Sequence, residues 1–205
     1  MITPTNNFGD IGKNMKITDI TIDVIERNTV SVRVQDERSD LGGTTTQGVL
    51  RVQTDAGIEG HAFVGDQGAD SSQRMASIIK ILKPAMMGRE PSDREWLWNQ
   101  LSVIAGHGSA IEPVWAPLDV ALWDIEGKSA GQPIHKLLGT ARNEVPLYAT
   151  YPPRHGTVEG FVDEALQLKD EGFRAYKIHP GPLHYKQAAI AAAKGREAVG
   201  AEMTL

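Results

Sequence analysis

The alternation of apolar and polar positions organises the first third of the chain. Ile17, Ile20, Ile22 and Val24 are interleaved with Thr and Asp, which predicts a half-buried strand over residues 16–27. Residues 30–34 continue it after a turn at Asn28. Residues 35–47 are polar, carry Gly42-Gly43 and three threonines, and read as a mobile loop. Residues 49–54 form the next strand. Asp55-Ala56-Gly57 is a tight turn, and residues 58–64 return antiparallel. The opening is therefore a small meander.

The period then changes to that of a helix. Met75, Ile78, Ile79 and Leu82 share one face after Asp70, a suitable N-cap. Ser92 and Glu95 have capping-box spacing just after Pro91, and Leu97, Leu101 and Ile104 give the apolar stripe. The loop Gly106-His107-Gly108 interrupts. A third helix is expected over residues 112–130, with Leu118, Ala121, Leu122 and Ile125 facing inward. Pro117 should delay or kink it, and Gly127 and Gly131 should end it.

After Pro133 the elements alternate. Residues 145–151 read as a strand closed by Pro152-Pro153. Phe161, Ala165 and Leu168 mark a helix that stops at Gly172. A strand through Lys177 follows, then an alanine-rich helix over residues 185–199, and residues 202–205 begin a third strand. This order predicts βα units on a parallel sheet. A closed parallel barrel takes about 250 residues. The chain is therefore expected to be part of a longer protein.

Composition narrows the function. The net charge of −5 gives no support to a nucleic-acid or anionic-membrane partner. The absence of cysteine removes thiol chemistry and disulfides and fits a cytoplasmic location. No apolar run approaches the ~20 residues that span a bilayer. Residues 1–15 are expected as a disordered tail.

The stretch Arg174-Ala175-Tyr176-Lys177-Ile178-His179-Pro180-Gly181 carries the candidate chemistry. Period-two geometry puts Lys177 and His179 on one face and Tyr176 and Ile178 on the other. Two titratable groups at a strand end in a parallel barrel would suit proton transfer on a bound substrate. An ordinary strand end, with a solvated lysine and a hydrogen-bonded histidine, has the same pattern.

The run Ala121-Leu122-Trp123-Asp124-Ile125-Glu126-Gly127-Lys128, followed by Gly131-Gln132-Pro133 and Leu137-Leu138-Gly139, resembles the mandelate racemase/muconate lactonizing branch of the enolase superfamily. The hairpin Thr54-Asp55-Ala56-Gly57-Ile58-Glu59-Gly60 and the Lys-x-His strand fall where that family has its cap hairpin and second barrel strand. The likeness covers residues 16–205. It implies an α+β capping domain over residues 16–142, then the start of a (β/α)8 TIM-type barrel over residues 143–205, incomplete in this chain.

The resemblance also implies a reaction: Mg2+-dependent abstraction of the proton α to a carboxylate. Lys177 and His179 are the implied catalytic residues, although the family's strand usually ends Lys-x-Lys and here has His179. Thr150, His61 and Phe63 fall at substrate-contacting positions, and residues 35–47 match a mobile lid. Trp123 and Asp124 are read as packing and hydrogen-bonding residues. The metal ligands, carboxylates ending strands three to five, are expected beyond Leu205, the first as an aspartate within about five residues. None is assigned in this chain.

Dehydration of a sugar acid is the preferred activity, a lyase reaction. A racemase, epimerase or cycloisomerase on the same scaffold is the alternative, and a non-catalytic interaction module the second. The expected partners are a carboxylate-bearing small molecule such as a sugar acid and further copies of the chain in a homo-oligomer.

Overall fold

The structure, a computed structural model, describes residues 14–28, 32–34, 37–39, 44–65, 71–104, 112–151, 155–181 and 183–205. It divides into two compact units, residues 1–27 with 44–141, and residues 28–43 with 142–205. Residues 1–13 of the expected tail over residues 1–15, the Asp70 cap, the loop at residues 106–108 and Pro152-Pro153 lie outside the described residues, whereas Met15 is buried in the first unit's core.

The first unit is built on a sheet of β1 (Ile17–Asn28), β4 (Thr44–Thr54) and β5 (Glu59–Val64), with β4 in the middle. β4 and β5 are antiparallel, with Val52 opposite Gly60 and Arg51 opposite His61. Thr54 closes their turn, its hydroxyl donating to the Ile58 carbonyl at 2.7 Å. Leu50, Val52, Ala62 and Val64 are buried, and so are Ile17 and Ile20. Val24 and Ile25 are exposed, so the burial expected along the first strand does not reach its far end.

Helices complete this core. The segment from α1 (Ser71–Ser77) to α2 (Lys83–Met86) contains a wider π turn at Ile78–Leu82. Pro84 explains the widening, since a proline ring collides with the carbonyl four residues earlier and lacks an N–H to give it. α3 (Arg94–Ile104) begins after a turn in which the Asp93 carbonyl accepts the first helical bond, from Leu97 at 3.0 Å. The cap position is therefore Asp93 and not Ser92. α4 (Glu112–Ala130) runs through Pro117 without a delayed start. Pro117 lies just past the first turn, so it removes only one intrahelical bond.

α4 packs on β5 and β4, with Leu118, Ala121, Leu122 and Ile125 fully buried. Each such Leu or Ile contributes about 1.5–3 kcal/mol. Gly127 does not end the helix. It lies inside it, where a Cβ would sit 3.1 Å from the Gln132 carbonyl oxygen, and the chain turns away at Gly131 with φ +62°. A short α5 (Ile134–Leu137) follows, which periodicity does not reveal.

The second unit contains a hairpin of β2 (Val32–Val34) and β3 (Glu37–Ser39), paired antiparallel. The expected loop over residues 35–47 is thus strand at residues 37–39 and again from Thr44, where three β-branched threonines favour extended backbone. β6 (Ala149–Thr150) pairs in parallel with β7 (Tyr176–Lys177), and Ala175 bridges in parallel to Thr204. The expected strand over residues 145–151 is paired only at its last rungs; residues 141–148 are exposed. α6 (Val158–Asp170) and α7 (Tyr185–Val199) pack on each other. The Thr157 hydroxyl caps α6 by accepting from Gly160 N–H at 3.2 Å. Gly172, at φ +93°, ends it with the Phe173 N–H bonding back to Leu168. The described residues make a small sheet with helices in one unit and a short parallel pair with two helices in the other, with no closed barrel among them.

Candidate active site

The register of β6 and β7 sorts their side chains onto two faces. Ala149 pairs with Tyr176, and both are buried in a core with Ala165, Leu168, Val199 and Met203. Ile178 packs into the same apolar layer. Thr150 pairs with Lys177 on the opposite face, where both are exposed, and the Thr150 hydroxyl lies 3.4 Å from the Lys177 carbonyl. His179 follows two residues on and is half-buried. Its Nε2 is inaccessible and has no hydrogen-bond partner.

Two of the sequence-predicted residues, Thr150 and Lys177, therefore belong to one strand pair, and His179 follows two residues after its end. His61 and Phe63 belong to β5 of the first unit. Phe63 is 77 % exposed. His61 is enclosed by charge: Nε2 lies 3.3 Å from Glu59 Oε2 and 3.3 Å from Arg51, and Nδ1 lies 3.2 Å from Lys128 Nζ.

Asp124 and Lys128, one turn apart on α4, hold the outer edge of β5. Asp124 Oδ2 accepts the His61 backbone N–H at 2.8 Å, and Lys128 Nζ donates to the Glu59 carbonyl at 2.7 Å. The two side chains also pair with each other at 2.7 Å. Burial opposes ionisation of Asp124, but the Lys128 ammonium and the His61 N–H together outweigh it and hold the carboxyl below its ordinary value. Edge strands expose unpaired backbone groups, and here two side chains of the Asp-x-x-Gly-Lys run satisfy them. The guanidinium of Arg94 stacks on Trp123 at 3.9 Å.

A hard divalent cation needs several oxygen ligands converging on one point. Among the described residues no group of three His, Asp or Glu side chains provides this. Glu59, His61 and Asp124 come nearest, but Arg51 and Lys128 are inserted among them. The described residues hold no ligand set for the Mg2+ implied by the resemblance, whose ligands are expected beyond Leu205.

A groove of about 830 Å³ lies in the first unit and has none of Thr150, Lys177 and His179 in its lining. It runs between α3 and α4 and is lined by Trp96, Trp98, Trp115, Trp123, Arg94 and Asp119 among others. Burial pushes the Asp119 carboxyl up. Because open grooves collect on any exposed helix pair, strand register is the better guide to chemistry here.

One cluster was not foreseen. Glu164 is buried on α6, its Oε2 accepting from the Tyr176 hydroxyl and its Oε1 3.3 Å from His155 Nε2. The signal was present: Glu164 lies on the helical stripe of Phe161, Ala165 and Leu168, where a carboxylate requires a buried partner.

Comparison with known proteins agrees with this architecture. Residues 27–139 match the family model for the mandelate racemase/muconate lactonizing enzyme N-terminal domain. A D-mannonate dehydratase from Caulobacter vibrioides is 34% identical over 140 residues, 64% of this chain and 33% of that protein. A D-galactonate dehydratase family member from Halomonas elongata is 32% identical over 142 residues, again 64% of this chain and 33% of the relative. The crystal structure of D-glucarate dehydratase from Agrobacterium tumefaciens, complexed with magnesium, superposes with a TM-score of 0.70 at 30% identity. That match covers 93% of this chain and 53% of the other. The chain thus spans about a third of the length of the curated relatives it matches. The family match, over more than half of the sequence, shows that this chain belongs to the mandelate racemase/muconate lactonizing enzyme family.

Proposed function

We propose that this chain is part of an enzyme that dehydrates a sugar acid, with Lys177 and His179 acting on the substrate and Thr150 beside them. In this reading residues 16–142 are the α+β capping domain, and residues 143–205 are the first units of a (β/α)8 barrel. The observation that carries it is the pairing of Thr150 with Lys177, with Ala149, Tyr176 and Ile178 committed to the apolar layer behind. The polar side chains are left on the other face. Related chains named as mannonate and galactonate dehydratases favour dehydration over other outcomes of α-proton removal.

The chemistry is assigned to this chain's own groups. The Lys177 ammonium is a compact cation suited to a substrate carboxylate and to the charge that grows on it as the α-proton leaves. The His179 imidazole is the group assigned to take up or return a proton, as histidine commonly does in such steps. Loss of the α-proton and departure of the β-hydroxyl as water leave an enol, which tautomerises to a 2-keto-3-deoxy acid. The described residues supply no ligand set for a metal ion, and the resemblance puts the Mg2+ ligands beyond Leu205.

The test is to incubate the full-length protein with a panel of aldonic and aldaric acids and follow the products. A 2-keto-3-deoxy acid from at least one substrate is the expected result. Epimerised acid without loss of water would replace dehydration by racemisation, and no turnover of any acid sugar would overturn the reading.

A further inference from the structure

A buried carboxylate is costly unless it is paired, and Glu164 is 5% exposed. Its two oxygens reach different segments. Oε2 accepts from the Tyr176 hydroxyl on β7, and Oε1 lies 3.3 Å from His155 Nε2, close but without a hydrogen bond; His155 follows β6 by five residues. α6 is shaped to receive that histidine. The Phe161 ring meets the imidazole edge-on at 5.3 Å, and a Cβ at Gly160 would lie 2.9 Å from His155 Nδ1. Tyr176 directly precedes Lys177, and Thr150 ends β6.

We propose that Glu164 is a positioning residue: its bond to the Tyr176 hydroxyl holds the back of the strand whose opposite face carries Lys177 beside Thr150. The inference rests on the dehydratase reading above. A two-residue strand has few backbone bonds to fix its roll. For β7 and its neighbours these include Tyr176 N–H to Thr204 and Ala149 N–H to Ala175, each 2.9 Å. The phenol–carboxylate bond adds a side-chain constraint to them. A small rotation of Tyr176 would swing Lys177 on the opposite face, and misplacement by about 1 Å at a reacting group can lower a rate about a hundredfold.

The test uses the full-length protein and two readouts. Tyr176→Phe removes a single oxygen, Glu164→Met removes the acceptor at similar length, and Glu164→Gln keeps one acceptor oxygen. Tyr176→Phe and Glu164→Met are each expected to speed amide exchange at Ala149 and Tyr176 about tenfold. Each also lowers kcat about tenfold with KM within about threefold, while Glu164→Gln recovers most of the rate. Because the two residues act through one bond, the double variant is expected to be no worse than either single one. Unchanged exchange in Tyr176→Phe, or losses that multiply to about a hundredfold in the double variant, would overturn the proposal. Should Glu164→Met not fold, Tyr176→Phe and Glu164→Gln carry the same comparison. If exchange responds but Lys177→Met leaves kcat intact, the dehydratase reading fails at Lys177 and the positioning role falls with it.

Discussion

Gly60 and Ala121 approach so closely that no side chain fits between them: a Cβ on Gly60 would lie 2.0 Å from the Ala121 carbonyl oxygen. The contact is between strand and helix backbones, so neither can rotate away as a flexible side chain would. Gly60→Ala is therefore expected to lower stability by about 3 kcal/mol, the upper end of typical overpacking costs. Gly57 sits in the same hairpin with φ +74° and nothing within 4 Å. Gly57→Asn, a residue that tolerates this conformation, should cost less. Urea unfolding of both variants checks the contrast, and equal losses would contradict it.

Asp124 should contribute pH-dependent stability. Its carboxyl is held below the ordinary aspartate value in the folded protein. A lowered folded value means that the contribution is fully present above the unfolded value and is lost as pH falls through the folded one. Asp124→Ala is expected to cost about 1.5–3 kcal/mol at neutral pH, the range for a hydrogen bond to a charged group. That cost should shrink toward zero in strong acid. Melting curves of the wild type and variant across pH 2–7 test it, and a constant difference would contradict the assignment.

Phe161 is fully buried between Val158 and Ala191 and also supports the His155 ring. Phe161→Ala should cost about 3–5 kcal/mol. Because the two units have separate cores, the loss should appear as faster amide exchange in residues 155–205 first. Uniform acceleration across both units would show that they unfold together.

Regular, repeating features were the legible ones. The alternation in β4 and β5, the stripe of α4, and the glycine stop at Gly172 follow from local rules, and the structure keeps them. Boundaries that depend on partners were not legible. Residues 145–148 have strand composition but no described pairing, whereas residues 37–39 are polar and become strand because β2 lies alongside. The π turn before Pro84 and the cap at Asp93 are matters of single hydrogen bonds. At the site, period-two reasoning placed Lys177 opposite Tyr176, but no periodicity foretells which side chains close round Glu164. The edge-strand role of Lys128 was likewise hidden, because its partner, the Glu59 carbonyl, is 69 residues away.

His179 is expected to matter more for turnover than for binding. His179→Asn keeps a polar side chain of similar reach but cannot take up a proton at neutral pH. In the full-length protein it should lower kcat by about 10²–10⁴-fold, the range for general acid–base catalysis, with little change in KM. Unchanged turnover would reduce His179 to a structural residue.

Removal of the α-proton is the step on which the whole account depends. The most direct measurement follows that proton by NMR in deuterated water, for the full-length protein and its Lys177→Met variant, with the sugar acid that the wild type turns over. The account predicts that the wild type forms 2-keto-3-deoxy acid with the substrate's α-hydrogen lost to solvent. It further predicts that Lys177→Met neither exchanges that hydrogen nor releases water at a comparable rate. Exchange and dehydration in Lys177→Met at the wild-type rate would contradict it.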